Sequence, residues 1–113
     1  MSGESTPPHR LIIRRNASDD IDRITEYIAR TVNVTASVRF QTAVADAMDY
    51  LLTMPNLGAP RFYQNPVARG LRMFPMPEFQ KYLIFYLTPE GTIEIVRVLH
   101  SSQDTDAILE AEI

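Results

Sequence analysis

Five side chains in the C-terminal half of the chain carry groups able to do chemistry: Arg72, Lys81, Tyr82, Arg97 and His100. Between them they offer cations for phosphate charge, and a base and an acid to move a proton on and off oxygen. Such a set needs one shared cleft. Strand spacing speaks against that. In Ile93–His100, IEIVRVLH, alternate side chains point to opposite faces. Arg97 then shares a face with Ile93 and Ile95, and His100 falls with Val96 and Val98 on the other. The two meet over one substrate only if a bulge or the strand's end turns His100. Otherwise His100 closes the sheet edge with a hydrogen bond. Arg97 either serves binding or forms an ion pair with a carboxylate on a neighbouring element, Glu78 being one possibility.

The same half holds the one basic region. Arg61, Arg69, Arg72 and Lys81 stand against a single acid, Glu78, with Phe62, Tyr63, Phe74, Phe79 and Tyr82 interleaved. Arginine with aromatic rings is the composition of protein interfaces and of nucleic-acid surfaces. It is also what core aromatics with a solvated rim look like. The formal charge of the whole chain is −3. A broad electrostatic grip on nucleic acid is therefore not expected, nor direct specific DNA binding by the chain alone.

Other chemistries are excluded or unsupported. The chain has no cysteine, so disulfides, thiolate metal sites and cysteine nucleophiles are ruled out. Asp19, Asp20 and Asp22 fit no oxygen-ligand loop. They suit the positive end of a helix dipole. The glycines are isolated and form no phosphate loop. With only His9 and His100, no Ser/His/Asp arrangement can be defended. No metal and no cofactor is expected. No apolar run approaches the ~20 residues that cross a bilayer.

The elements that must position these groups follow from pattern. Residues 1–9 read as a disordered leader, small, polar and proline-containing in Met1–Pro8. Residues 10–113 then read as one domain. Arg10–Arg15 is a short edge strand. A helix capped by Asn16 or Ser18 carries the stripe Ile21, Ile24, Ile28, Val32 and runs to about Thr31. A second helix spans about Ala36–Met54 and stops before Pro55. Residues 56–69 read as loop. Gly70–Pro75 is a strand, held to an edge or a bulged end by Pro75 and Pro77. Lys81–Thr88 and Thr92–Leu99 are β-branched and aromatic runs around Pro89-Glu90-Gly91, the signature of an antiparallel hairpin. Lys81–Thr88 is apolar on both faces, which predicts a central strand covered on each side. Asp104–Ala111 is a short final helix. The order β-α-α-β-β-β, with a helical hairpin on a mostly antiparallel sheet and a short C-terminal helix, is an α+β layer.

Several stretches together resemble the RelE/ParE toxin superfamily, nearest its ParE branch. They are Asp22–Ile28 (DRITEYI), Arg39–Phe40, Met54–Gly58 (MPNLG), Gly70–Pro75 (GLRMFP), Tyr82–Tyr86 (YLIFY) and Ile93–His100 (IEIVRVLH). Ser101-Ser102-Gln103-Asp104 follows, like the small-polar-Asp tail of relatives. The resemblance covers about Leu11–Leu109. It implies a cytoplasmic toxin of a type II toxin–antitoxin pair, neutralised by a ParD-like antitoxin. ParE-like members are associated with inhibition of DNA gyrase, RelE-like members with ribosome-dependent cleavage of mRNA. The leading expectation is a gyrase inhibitor that works by protein binding. Its partner-binding residues would be Arg61, Arg69, Arg72, Phe74, Lys81, Tyr82, Arg97 and His100. Ser101–Ile113 and the sheet face bearing Arg97 would meet the target. The alternative is an endoribonuclease using Arg72, Lys81, Arg97 and His100. RelE-like sites are rich in basic residues, and this chain has one lysine. A third reading is an inactivated relative that keeps antitoxin binding.

Overall fold

The computed structural model describes residues 10–111, so the expected leader, residues 1–9, lies outside the described residues. The chain runs β1 (Arg10–Ile13), α1 (Arg15–Thr31), α2 (Val34–Thr53), β2 (Ala59–Pro60), a 3-10 turn (Pro66–Ala68), β3 (Arg72–Pro75), β4 (Tyr82–Leu87), β5 (Thr92–His100) and α3 (Thr105–Glu110). The five strands form one sheet in the order β1-β5-β4-β3-β2. Only β1 against β5 is parallel. The helical hairpin, the hairpin β4–β5 and the α+β layer are as the sequence predicts.

β4 lies in the middle of the sheet, and both its faces are covered. Ile84 and Tyr86 join Ile93, Ile95 and Val98 under the helices, against Phe40, Val44, Ala47, Met48 and Leu51. Phe85 faces the other way with Val96 and Leu99, against Ala68, Leu71 and Leu109. Ala43 and Ala47 are buried on α2, where a small side chain lets backbones approach. Each large side chain removed from water in these clusters contributes about 1.5–3 kcal/mol.

The Tyr86 hydroxyl holds down the loop after α2. It accepts from Gly58 N at 2.8 Å and donates to Pro55 O at 2.8 Å. A Cβ at Gly58 would lie 2.7 Å from the Tyr86 ring. That contact is why MPNLG ends in glycine: the backbone must come within reach of a buried phenol.

Some boundaries move for physical reasons. α1 starts at Arg15, earlier than the caps at Asn16 or Ser18 suggest, and Arg14 gives it no side-chain cap. Instead Arg14 N donates to Ile95 O at 3.0 Å, and Arg14 Nε binds Glu94 at 2.7 Å. Anchoring to β5 turns the chain into the helix, and tertiary contacts replace the cap. Val32 was expected in the buried stripe. It ends the helix and is exposed. α2 is capped by Asn33, whose side chain accepts from Ala36 N at 2.7 Å. The stretch read as loop also holds β2 and the 3-10 turn. β2 pairs only with Arg72 and Met73, so Pro75 meets no strand on its outer side.

Candidate functional site

β5 is not a regular strand. Phe85 faces Arg97 and Tyr86 faces Ile95, so Val96 is an extra residue in a β-bulge. The bulge shifts the alternation. Val98 packs in the same cluster as Ile93 and Ile95, which corrects the expected opposition of those faces. Arg97 leaves the sheet face and reaches α1.

There it meets Asp20, a carboxylate 1% exposed. Arg97 Nε donates to Oδ2 at 2.7 Å and Nη2 to Oδ1 at 2.9 Å. The backbone N–H of Val98 donates to Oδ2 at 3.0 Å. Arg23 Nη2, one turn along α1, donates to Oδ1 at 2.6 Å. One buried carboxylate thus accepts four hydrogen bonds. Donating to the Asp20 carboxylate holds the Arg97 guanidinium above its ordinary range, against an opposing effect of burial. Two expectations fall here. Asp19, Asp20 and Asp22 are not dipole partners at the helix start, because α1 begins at Arg15 and its first turn holds no acid; the Asp20 side chain turns instead to the sheet. Glu78 is not the partner of Arg97; it pairs with Arg39 at 3.1 Å.

Beyond this ion pair lies a cleft of about 480 Å³ between α1 and the end of β5. α1 supplies Arg23, Ile24 and Tyr27. Tyr82 comes from β4, Val98 and His100 from β5, with Ser102 and Gln103 at the rim. Tyr82 and His100 are register partners, their rings edge to face at 4.9 Å. Behind Tyr82, Phe40 packs edge-on at 5.4 Å. Burial first, then neighbouring Tyr27, raises the Tyr82 phenol above its ordinary range. At neutral pH it is therefore a protonated donor. His100 Nδ1 accepts from Ser102 N at 3.0 Å, and His100 N donates to Gln103 Oε1 at 2.8 Å. This is the hydrogen-bonded sheet end read from the sequence. With Nδ1 an acceptor, the proton of the neutral ring belongs on Nε2.

The remaining basic and aromatic candidates do not gather here. Lys81 precedes Tyr82 but does not line the cleft; it is exposed, and its carbonyl accepts from Ser101 N at 2.6 Å. Arg72 Nη1 donates to Asn56 O at 3.2 Å and Gly58 O at 2.6 Å, tying β3 to the loop. Phe74 packs against the helix-side core. Arg61 lies by α3, 3.5 Å from Asp106. The nearby Tyr63 hydroxyl chiefly raises its guanidinium, although the two make no hydrogen bond of ordinary geometry. Arg69 borders a shallow pocket with Leu87, Pro89 and Glu94. Of the eight expected partner-binding residues, the structure brings Tyr82 and His100 together in the cleft, sets Arg97 behind it on Asp20, and leaves the Lys81 side chain outside the lining. Arg72 and Arg97, offered for phosphate chemistry, are bonded internally. Sequence reasoning missed Arg23 and Tyr27, and the distinct part played by Asp20. The only available signal was their common face on α1, three or four residues apart.

Among the described residues no group of three or more His, Asp or Glu side chains could hold a metal ion, and no helix is long and apolar enough to cross a membrane. A search of curated proteins finds no match. Among solved structures the chain is similar to one described as the chromosomal ParDE TA system from P. aeruginosa. The match has a TM-score of 0.67 and 18% identity, over 82% of this chain and 96% of that one. At that identity the likeness speaks for the fold. The family model described as ParE toxin of type II toxin-antitoxin system, parDE, matches residues 11–105. With nearly the whole described domain inside that match, the chain belongs to the ParE toxin family of type II toxin–antitoxin systems.

Proposed function

We propose that this chain is the toxin of a ParDE-type pair: a cytoplasmic inhibitor that binds DNA gyrase and is neutralised by a ParD-like antitoxin. In this reading it acts through protein contact, without chemistry of its own. Family membership supports the toxin role. One observation favours binding over catalysis. The Arg97 guanidinium, the best-placed cation for phosphate charge, is taken up by the buried Asp20 carboxylate. Arg72 is likewise held by two backbone carbonyls. A nuclease site would need such cations free to meet a developing charge.

Lys81, Tyr82 and His100, with the cleft beside them, form the partner-binding surface in this reading. Arg61, Arg69, Arg72 and Phe74 lie outside it and act as support.

The test is to induce the chain alone in a bacterial host, then assay the purified protein on gyrase supercoiling and on translated mRNA in parallel. Growth arrest with loss of supercoiling and intact transcripts is expected. Cut transcripts with untouched gyrase would overturn the reading in favour of an endoribonuclease. No effect on either, with tight antitoxin binding, would point to an inactivated relative.

A further inference from the structure

The cleft between α1 and β5 carries an unbalanced positive charge. Asp20 is one carboxylate bound by two guanidinium groups, Arg97 and Arg23. One positive charge is left over. It resides on Arg23, because the Arg97 side chain is 17% exposed and the Arg23 side chain 65%. Among the described residues no second carboxylate forms an ion pair with Arg23; Glu26 on the same helix pairs with Arg30. The cleft lining holds no acid at all.

Its other polar groups are donors or can act as donors. The Tyr27 and Tyr82 phenols, the Ser102 hydroxyl and the Gln103 amide stand around it, and the His100 proton belongs on Nε2. Gln103 has its carbonyl oxygen occupied by His100 N, so its NH2 is the end left for a ligand. Between these groups lie apolar surfaces: Ile24 and the rings of Tyr27 and Tyr82. Tyr27 is 52% exposed, a large aromatic surface without cover. A donor-rich, acid-free cleft of ordinary ligand-site size beside exposed aromatic surface suits a carboxylate flanked by apolar groups.

We propose that this cleft is the seat of an acidic segment of the antitoxin, with one Asp or Glu carboxylate on Arg23 and a neighbouring apolar side chain against Tyr27 and Ile24. This rests on the reading that an antitoxin holds the chain. It adds which surface takes the antitoxin's charge, with Arg23 as the main electrostatic contact in place of the expected Arg61, Arg69 and Arg72. Charge complementarity selects an acidic peptide over other occupants. Nucleic acid would gain little here, since one cation on a chain of net charge −3 is a poor match for a phosphate backbone.

The test uses the full-length chain and the protein encoded by the adjacent reading frame, with synthetic peptides tiling the C-terminal half of that protein. Affinity is measured by calorimetry for wild type, Arg23→Gln, Tyr27→Ala and Arg30→Gln at low and high salt. Thermal melts check that each variant folds. Arg23→Gln should weaken binding about tenfold at low salt, with the gap narrowing at high salt. Tyr27→Ala, at an exposed position, should weaken it severalfold at both salts. Arg30→Gln should match wild type. In one peptide, changing a single Asp or Glu to its amide should remove the difference between wild type and Arg23→Gln.

Equal affinity of wild type, Arg23→Gln and Tyr27→Ala would overturn this inference and leave the antitoxin reading standing. So would variants that lose growth arrest while binding the antitoxin normally, because the cleft would then face the target. Failure of wild type to bind the neighbouring protein would overturn both.

Discussion

Two carboxylates in this protein do the same job in opposite surroundings. Asp20 joins α1 to β5 by accepting from the Val98 backbone and two arginines, and it is almost fully buried. Glu110 joins α3 to the loop before the 3-10 turn by accepting from Gln64 N at 2.9 Å and Asn65 N at 2.8 Å, in the open. Both satisfy backbone amides that no strand or helix supplies with a partner. The difference is what happens when the carboxylate is lost. Water can take over at Gln64 and Asn65. At Val98 and Arg97 it has little access, so the unpaired groups bear the desolvation cost themselves.

The contrast can be broken by substitution. Asp20→Ala should be the most damaging change, costing about 3–5 kcal/mol, because it strands a largely buried guanidinium and an amide. Urea unfolding measures it, and a loss below ~1 kcal/mol would mean that water reaches the α1–β5 seam. Arg97→Ala should cost less, about 1.5–3 kcal/mol, because Asp20 keeps Arg23 and the Val98 amide. If the two substitutions were equally harmful, Arg23 would be contributing nothing to the carboxylate. Glu110→Gln should cost about 1 kcal/mol or less, the amide oxygen still accepting from one of the two backbone donors. A larger loss would mean that α3 is more tightly docked than its exposed seam implies.

Alkaline titration gives the smallest effect and touches both sides of the sheet. Burial raises the phenols of Tyr82, on the helix side, and Tyr63, on the α3 side, above 10.0. The folded protein therefore holds these protons more tightly than the unfolded chain. Their stabilising contribution is complete below pH 10 and is lost as pH rises through the raised values. Melting temperature should fall above pH ~10. Tyr82→Phe should flatten that fall, since a phenyl group has no proton to lose.

The parts of the molecule differ in how far they could be read from sequence. The helical hairpin and the β4–β5 hairpin were legible because their signals are local: isoleucines at helical spacing, Pro55, and Pro89-Glu90-Gly91 between two β-branched runs. β4 was legible as a central strand because Ile84 and Phe85 are both apolar and point to opposite sides. The cover on the second face was not. It is assembled from Ala68, Leu71 and Leu109, which no periodic pattern links. The site was half legible. Tyr82 and His100 stand out by residue type. Asp20 is one of three nearby aspartates, and only the fold distinguishes it. The bulge carries no glycine to mark it, since Val96 reads like any other residue of the strand.

That bulge has a consequence for how the molecule divides its surfaces. Upstream of it, odd-numbered residues of β5 look toward the helices; downstream, even-numbered ones do. By absorbing one extra residue, the bulge keeps the tip of the strand in register with β4, so Val98 and His100 share the side of Ile84 and Tyr82. Deleting Val96 would leave one residue of β5 against each residue of β4, giving a regular strand with Val98 and His100 still toward the helices; what would go is the valine's packing beside Phe85 and Leu99 on the α3 side and the kink that turns Arg97 to Asp20.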